Sequence, residues 1–135
     1  MTIMTETNQR LRFVEPLPGF DDESEYTLEA IDERGLLHSL RSVGNPGLRF
    51  VLARAAAFFP DYRPDLVDAL SGPLGTDDIE QLLVLSIGTG LRDATANLRA
   101  PIAVARSTGR AVQVVLEDDS LSMRQPLVSD QDGNA

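Results

Sequence analysis

The chain has 135 residues, no cysteine, 42% hydrophobic residues and a formal net charge of −9. That length and apolar content fit one domain with a conventional core, and the missing thiol excludes disulfides, thiolate nucleophiles and cysteine-type zinc sites. The charge argues against direct nucleic-acid binding, which needs a basic surface, and favours solubility or steering toward a basic protein.

Residues 1–10 are polar and are expected to fray. Leu11 to Glu15 has the composition of a short strand, stopped by Pro16 and Pro18. Pro18-Gly19 predicts a turn, since proline presets φ and glycine accepts a positive one. The acidic run Asp21-Asp22-Glu23-Ser24-Glu25 follows, and Tyr26 to Ile31 alternates large apolar residues as a strand does. A turn at Glu33-Arg34-Gly35 leads to a third strand over Leu36 to Val43. Asn45-Pro46-Gly47 turns the chain again, and a fourth strand runs from Leu48 to Leu52.

Ala53 to Phe59 has helix-forming composition, but Phe58 to Pro64 is aromatic and bounded by prolines, so only a short helix or turn is expected there. Asp65 to Leu70 can start another short helix with Asp65 at its N-cap, and Thr76 to Glu80 has the features of a third. Gln81 to Ile87 is an apolar run too short and too closely bounded by glycine for a long helix. Gly88-Thr89-Gly90 turns the chain. Ala94 to Val104 and Ala111 to Glu117, with a turn at Thr108-Gly109, form a predicted hairpin. The tail from Ser129 is polar and expected to be disordered. Short strands separated by close turn signals indicate a mainly β single domain over residues 11–128: a partly closed antiparallel β-barrel-like fold with short connecting helices.

The residues that catalysis or cofactor binding would need do not assemble in the sequence. His38 is the only side chain that titrates near neutrality unperturbed, and no nucleophile motif accompanies it. Inside a predicted strand it reads as a surface or edge residue; the catalytic alternative is a small hydrolase using His38 and a carboxylate. Gly88-Thr89-Gly90 lacks the further glycine of a dinucleotide loop, and with no lysine in the chain no P-loop is possible. Neither the acidic run at 21–25 nor Asp130 to Gly133 has the ligand spacing of a calcium loop. No cofactor or metal is expected. Phe58, Phe59 and Tyr62 are expected in the core. No apolar run approaches the roughly 20 residues that span a bilayer, and residues Met1 to Glu6 lack the basic and apolar regions of a secretion signal, so the expected location is the cytoplasm.

Several segments resemble the FliW family, a group of flagellar assembly factors that antagonise the translational regulator CsrA. Pro18-Gly19-Phe20 followed by acids is similar to the family's Pro-Gly-Phe-acid segment, and Phe50-Val51 through Phe58-Phe59-Pro60-Asp61-Tyr62 to its Phe-Val…Phe-Phe-x-Asp-Tyr stretch. The most specific match is Thr95-Ala96-Asn97-Leu98-Arg99-Ala100-Pro101-Ile102, beside the family's Thr-x-Asn-Leu-x-Ala-Pro-Ile. Gly109, Gln113 to Leu116 and Arg124 to Leu127 continue in the same order. The chain departs at Ala53 to Ala57, at Pro16-Leu17, and at Ala103-Val104-Ala105-Arg106, where many members carry an asparagine.

The resemblance implies a cytoplasmic protein, a monomer when free, that binds CsrA and flagellin in a partner switch, with no direct contact to nucleic acid or membrane and no catalysis. The alternative it leaves is a flagellin-binding chaperone without a CsrA role. Candidate partner-binding residues are Asp21, Asp22, Glu23 and Glu25, as a rim that steers a basic partner, with ordinary solvation as the competing reading. Asn97, Arg99 and Pro101 are candidates as exposed members of the most specific motif. The competing reading for them is structural: asparagine tolerates positive φ and proline lacks a ladder donor, which fits a bulge. Phe20 is expected to plug the core after its turn.

Overall fold

The structure, a computed structural model, describes residues 8–17, 19–20, 23–64, 66, 72, 74–76, 78–87 and 90–127. Among them the strands are β1 Asn8–Phe13, β2 Glu25–Ala30, β3 Leu37–Ser42, β4 Arg49–Arg54, β5 Ile79–Ser86, β6 Thr95–Ala96, β7 Ile102–Ala105, β8 Arg110–Gln113 and β9 Gln125–Pro126. One short helix, α1, covers Ala55–Phe58, and a 3-10 turn covers Leu91–Asp93.

The strands pair in the order β4-β3-β2-β1-β8-β7-β5, and β5 pairs back onto β4. This closes a seven-stranded barrel, fully rather than partly. An odd number of strands cannot close with every neighbour antiparallel, so one seam must be parallel. That seam is β1 against β8, with Arg12 opposite Arg110 and Phe13 opposite Ala111. It is continued by the Arg12 amide donating to the Gly109 carbonyl at 2.9 Å and the Val14 amide to the Ala111 carbonyl at 2.9 Å. Gly109 has φ +78°, and a Cβ there would lie 2.7 Å from the Arg10 carbonyl oxygen. Only glycine fits this close approach.

Register carries one apolar face round the barrel. Leu28 faces Leu40, Leu40 faces Phe50, Leu52 faces Val84, and Leu82 faces Ile102. Val104 then faces Ala111, which faces Phe13. These residues form the interior cluster, with Leu11, Tyr26 and Leu17. The opposite face of β4 and β5 is also apolar. Ala53, Leu83 and Leu85 pack there beneath Phe58, Phe59 and Tyr62, as expected for those aromatics. A third cluster joins Leu66, Leu74, Ala103, Ala105 and Val112, so β7 is buried on both faces.

Strand directions give the barrel two different ends. The described residues of the connections 14–24, 43–48, 87–101 and 114–124 gather at one, and those of 31–36, 55–78 and 106–109 at the other. The first end is plugged: Leu17 is buried, and Phe20 packs on the interior cluster in edge contact with Phe50, ring centroids 5.5 Å apart. The second end opens onto polar side chains.

Several expected elements shift. β1 begins at Asn8, so residues 8–10 belong to the sheet instead of a frayed end; residues 1–7 lie outside the described residues. The helix start expected at Thr76 to Glu80 is overturned, because Ile79 and Glu80 pair with Ala105 and Val104 and open β5. β8 ends at Gln113, four residues before the expected Glu117. The helix expected at Asp65 to Leu70, apart from Leu66, and Gly88-Thr89 lie outside the described residues. So does the tail from Ser129. No helix among the described residues is long and apolar enough to cross a membrane.

Candidate partner-binding surface

The most specific sequence motif is a large bulge on one edge of β5. β6 pairs there through Ala96 with Leu85, and β7 through Ile102 with Leu82. Five residues, 97–101, therefore stand opposite two, 83 and 84. The Asn97 amide still donates to the Val84 carbonyl at 3.1 Å before the chain leaves the edge. The Asn97 Oδ1 then accepts the Arg99 amide at 3.0 Å. No non-glycine residue described here has positive φ, so the asparagine closes the bulge through its side chain and not through a left-handed backbone.

Leu98 and Ala100 turn inward, 9% exposed each, and the Tyr62 hydroxyl donates to the Leu98 carbonyl at 2.5 Å. Burial pushes the Tyr62 phenol up to about 12, so it stays a donor throughout the ordinary pH range. Pro101 is fully buried, which corrects its expected exposure. Its ring has no N–H to satisfy, and its carbonyl accepts the Val114 amide at 2.9 Å.

Arg99 points the other way and fastens a second segment to the bulge. Its Nε donates to the Leu121 carbonyl at 2.8 Å and its Nη2 to the Asp119 carbonyl at 3.2 Å. The Asp119 carboxylate stands 3.5 Å from the same guanidinium but is 96% exposed, so the ion pair itself adds little. The backbone completes the attachment: the Leu116 amide donates to the Arg99 carbonyl at 2.7 Å, and the Leu98 amide to the Ser122 carbonyl at 2.9 Å. Arg99 is thus a clamp for residues 114–124.

What this segment displays was not legible as a site in the sequence. Val115 is 68% exposed and Met123 59%, with the exposed acids Glu117, Asp118 and Asp119 between them. The Ser120 hydroxyl and amide both donate to Asp118 and hold its carboxyl below the usual range. Ending a predicted strand at Glu117 hid the acids. The signal that was available is the Glu-Asp-Asp-Ser run itself, which breaks strand alternation and makes local side-chain turns.

The acidic run at 21–25 divides. Asp21 and Asp22, like Pro18, lie outside the described residues. Glu23 is half-buried and accepts a hydrogen bond from the Ser42 hydroxyl inside the plugged end, so it is committed to the fold instead of to a free rim. Glu25 is exposed at the start of β2, opposite Arg12. Glu23, Glu25 and the bulge share the plugged end, but no described hydrogen bond or ion pair joins the two groups.

His38 lies in β3 between β2 and β4, opposite Ala30 and Leu52. It is half-buried on the interior side, which corrects the expected surface or edge position. Burial lowers its pKa below the ordinary 6.5, with Glu80 opposing, and it is neutral at pH 7. The unfolded chain takes up this proton near 6.5 and the folded one only at lower pH. Its contribution to stability is therefore full above 6.5 and is lost as pH falls through the folded value. An imidazole NMR titration should give a midpoint below 6.5, and the urea midpoint of His38→Gln should change less between pH 7 and 5 than that of the unaltered chain. A midpoint at or above 6.5 would contradict the buried placement. Among the described residues no group of three or more histidines and carboxylates is placed to hold a metal ion.

The description of the matching family model is "FliW protein", and it covers residues 1–127. The chain is similar to the flagellar assembly factor FliW of Syntrophotalea carbinolica, 37% identical over 117 residues that span 85% of this chain and 84% of that protein. It is 34% identical over 125 residues to the FliW of Bacillus licheniformis, spanning 90% and 87%. The FliW of Bacillus subtilis strain 168 is 32% identical over 122 residues, spanning 88% and 85%. A crystal structure of the flagellar assembly factor FliW superposes with a TM-score of 0.76 at 30% identity, covering 87% of this chain and 84% of that one.

Proposed function

The chain belongs to the FliW family of flagellar assembly factors, and from that membership we propose that it works in the cytoplasm by binding CsrA and flagellin in competition. Bound CsrA is withheld from flagellin mRNA. Accumulating flagellin takes its place and releases it, so each partner lowers the apparent affinity of the other.

The observation that carries the binding surface is the segment 114–124, held against the barrel by Arg99. It combines exposed apolar side chains, which contribute affinity when covered, with acids that attract a basic surface. An RNA-binding regulator must itself be basic where it meets phosphate, and the net charge of −9 complements it. Glu25, exposed at the start of β2, adds a further acid at the plugged end.

Neutralising the acids together, Glu117→Gln with Asp118→Asn and Asp119→Asn, is expected to slow CsrA association about tenfold at low ionic strength. The effect should fade at high salt, where exposed charges are screened. Surface plasmon resonance at two salt concentrations measures it. Association at an unchanged rate would remove this surface from the proposal. Failure of the unaltered protein to capture CsrA at low salt, with flagellin still captured, would instead leave a flagellin chaperone without a CsrA role.

A further inference from the structure

The open end of the barrel, opposite the end that carries the 114–124 segment, gathers polar side chains around two clefts. Counting along the strands by register, His38, Arg54 and Glu80 share the interior face with Leu40, Leu52 and Leu82, but they lie beyond the apolar layer. They line a cleft of about 350 Å³ whose outer wall is the 31–36 turn, with Asp32 and Arg34. A second cleft of about 300 Å³ adjoins it, sharing Arg54, Glu80 and Arg106 and adding Arg63 beside Ala56, Pro60 and Ile79.

Four of the chain's twelve arginines converge here, although the chain is acidic overall. The carboxylates nearby are largely committed. Asp32 Oδ1 accepts the Leu36 and Leu37 amides, both at 2.9 Å. Glu80 pairs with Arg54, and Asp78 with Arg106 at 3.2 Å. Arg34 and Arg63 have no ion-pair partner among the described residues. The His38 Nδ1 is buried and has no hydrogen-bond partner. His38 and Arg34 line the first cleft and Arg63 lines the second, so an imidazole with an unpartnered nitrogen and two guanidiniums without ion pairs among the described residues stand along two adjoining clefts.

We propose that the open end binds a carboxylate carried on a short aliphatic chain, with Arg34 and Arg63 supplying charge, His38 a hydrogen bond, and Ala56, Pro60 and Ile79 the apolar wall. A guanidinium fork matches a planar carboxylate in two parallel hydrogen bonds. A phosphate dianion fits less well, because Glu80 lines both clefts and Asp32 and Glu33 line the first, and they repel a second negative charge. The carboxylate can come from a polypeptide's C-terminus, from an acidic side chain or from a small free acid.

His38 is the sole histidine, so its imidazole gives one NMR signal that reports on the cleft and on the folded state together. Titration with N-acetylglycine should shift that signal, with N-acetylglycinamide binding about tenfold more weakly. The double variant Arg34→Gln/Arg63→Gln alters two exposed side chains. It should keep the ligand-free signal in place and bind N-acetylglycine about tenfold more weakly. A short apolar peptide with a free C-terminus, the same peptide amidated, and an amidated peptide with an internal aspartate then separate the sources. Binding by the first alone assigns a chain terminus, by the third an acidic side chain, and by none of them a free acid. No shift with N-acetylglycine up to roughly 100 mM, where even a weak small ligand registers, overturns the site. So does an equal response to the amide or to inorganic phosphate.

Discussion

Gly109→Ala is expected to lower the stability of the domain by about 2–3 kcal/mol, and the lower urea midpoint should come with loss of amide protection at Arg12 and Val14. Two effects add. An alanine held at φ +78° costs about 1–2 kcal/mol through its Cβ. That Cβ would also meet the Arg10 carbonyl oxygen at 2.7 Å, so β1 must move away from the 106–109 turn. Movement stretches the hydrogen bond from the Arg12 amide to the Gly109 carbonyl, a further loss of about 1 kcal/mol. Gly35→Ala is the matched control. Gly35 has φ +71° but open space around its Cβ position, so only the conformational cost applies, about 1–2 kcal/mol. Hydrogen exchange measured residue by residue locates the damage. Equal costs at the two glycines, with Arg12 and Val14 still protected, would show that β1 and β8 do not form the closing seam.

The second large effect is expected at β5. Leu82→Ala and Leu83→Ala should each cost about 3 kcal/mol, within the usual range for emptying a buried leucine site. Both side chains are fully buried, yet they point to opposite faces. Leu82 packs in the barrel interior with Leu52 and Ile102, and Leu83 packs outside with Ala53, under Phe59 and Tyr62. A strand with one wet face would show a large cost at one position and less than about 0.5 kcal/mol at the other. Urea denaturation of the two variants decides between these patterns. Against a total stability on the order of 5–15 kcal/mol, either loss is a large fraction of what holds the domain folded.

This double burial also explains what could and could not be read along the chain. β2 alternates because one of its faces is wetter, and the positions of β2 and β3 were legible to within a residue. β5 and β7 do not alternate, since both faces are covered. Their composition therefore signalled an apolar run without giving its orientation, and Ile79-Glu80 could be mistaken for the start of a helix. The acidic run at 21–25 was legible as charge but not as two different roles. Glu23 turns inward because Ser42, 19 residues away, offers a hydroxyl in the plugged end. The motif at 95–102 was legible as a bulge, but not that Asn97 would close it through its side chain or that Pro101 would be buried.

Composition alone excluded thiol chemistry and gave an acidic chain, and short apolar segments between turn signals pointed to a mainly β domain. The ordered segments from Pro18-Gly19-Phe20 to Arg124-Gln125-Pro126-Leu127 carried the resemblance to FliW. Those are properties of residues and of short spacings, which a sequence states directly. Full closure, the parallel seam, the burial of Pro101 and the clamp from Arg99 to residues 119 and 121 were settled only by tertiary structure. Each depends on which distant segment stands opposite, and that is set by register round a closed ring rather than by local preference.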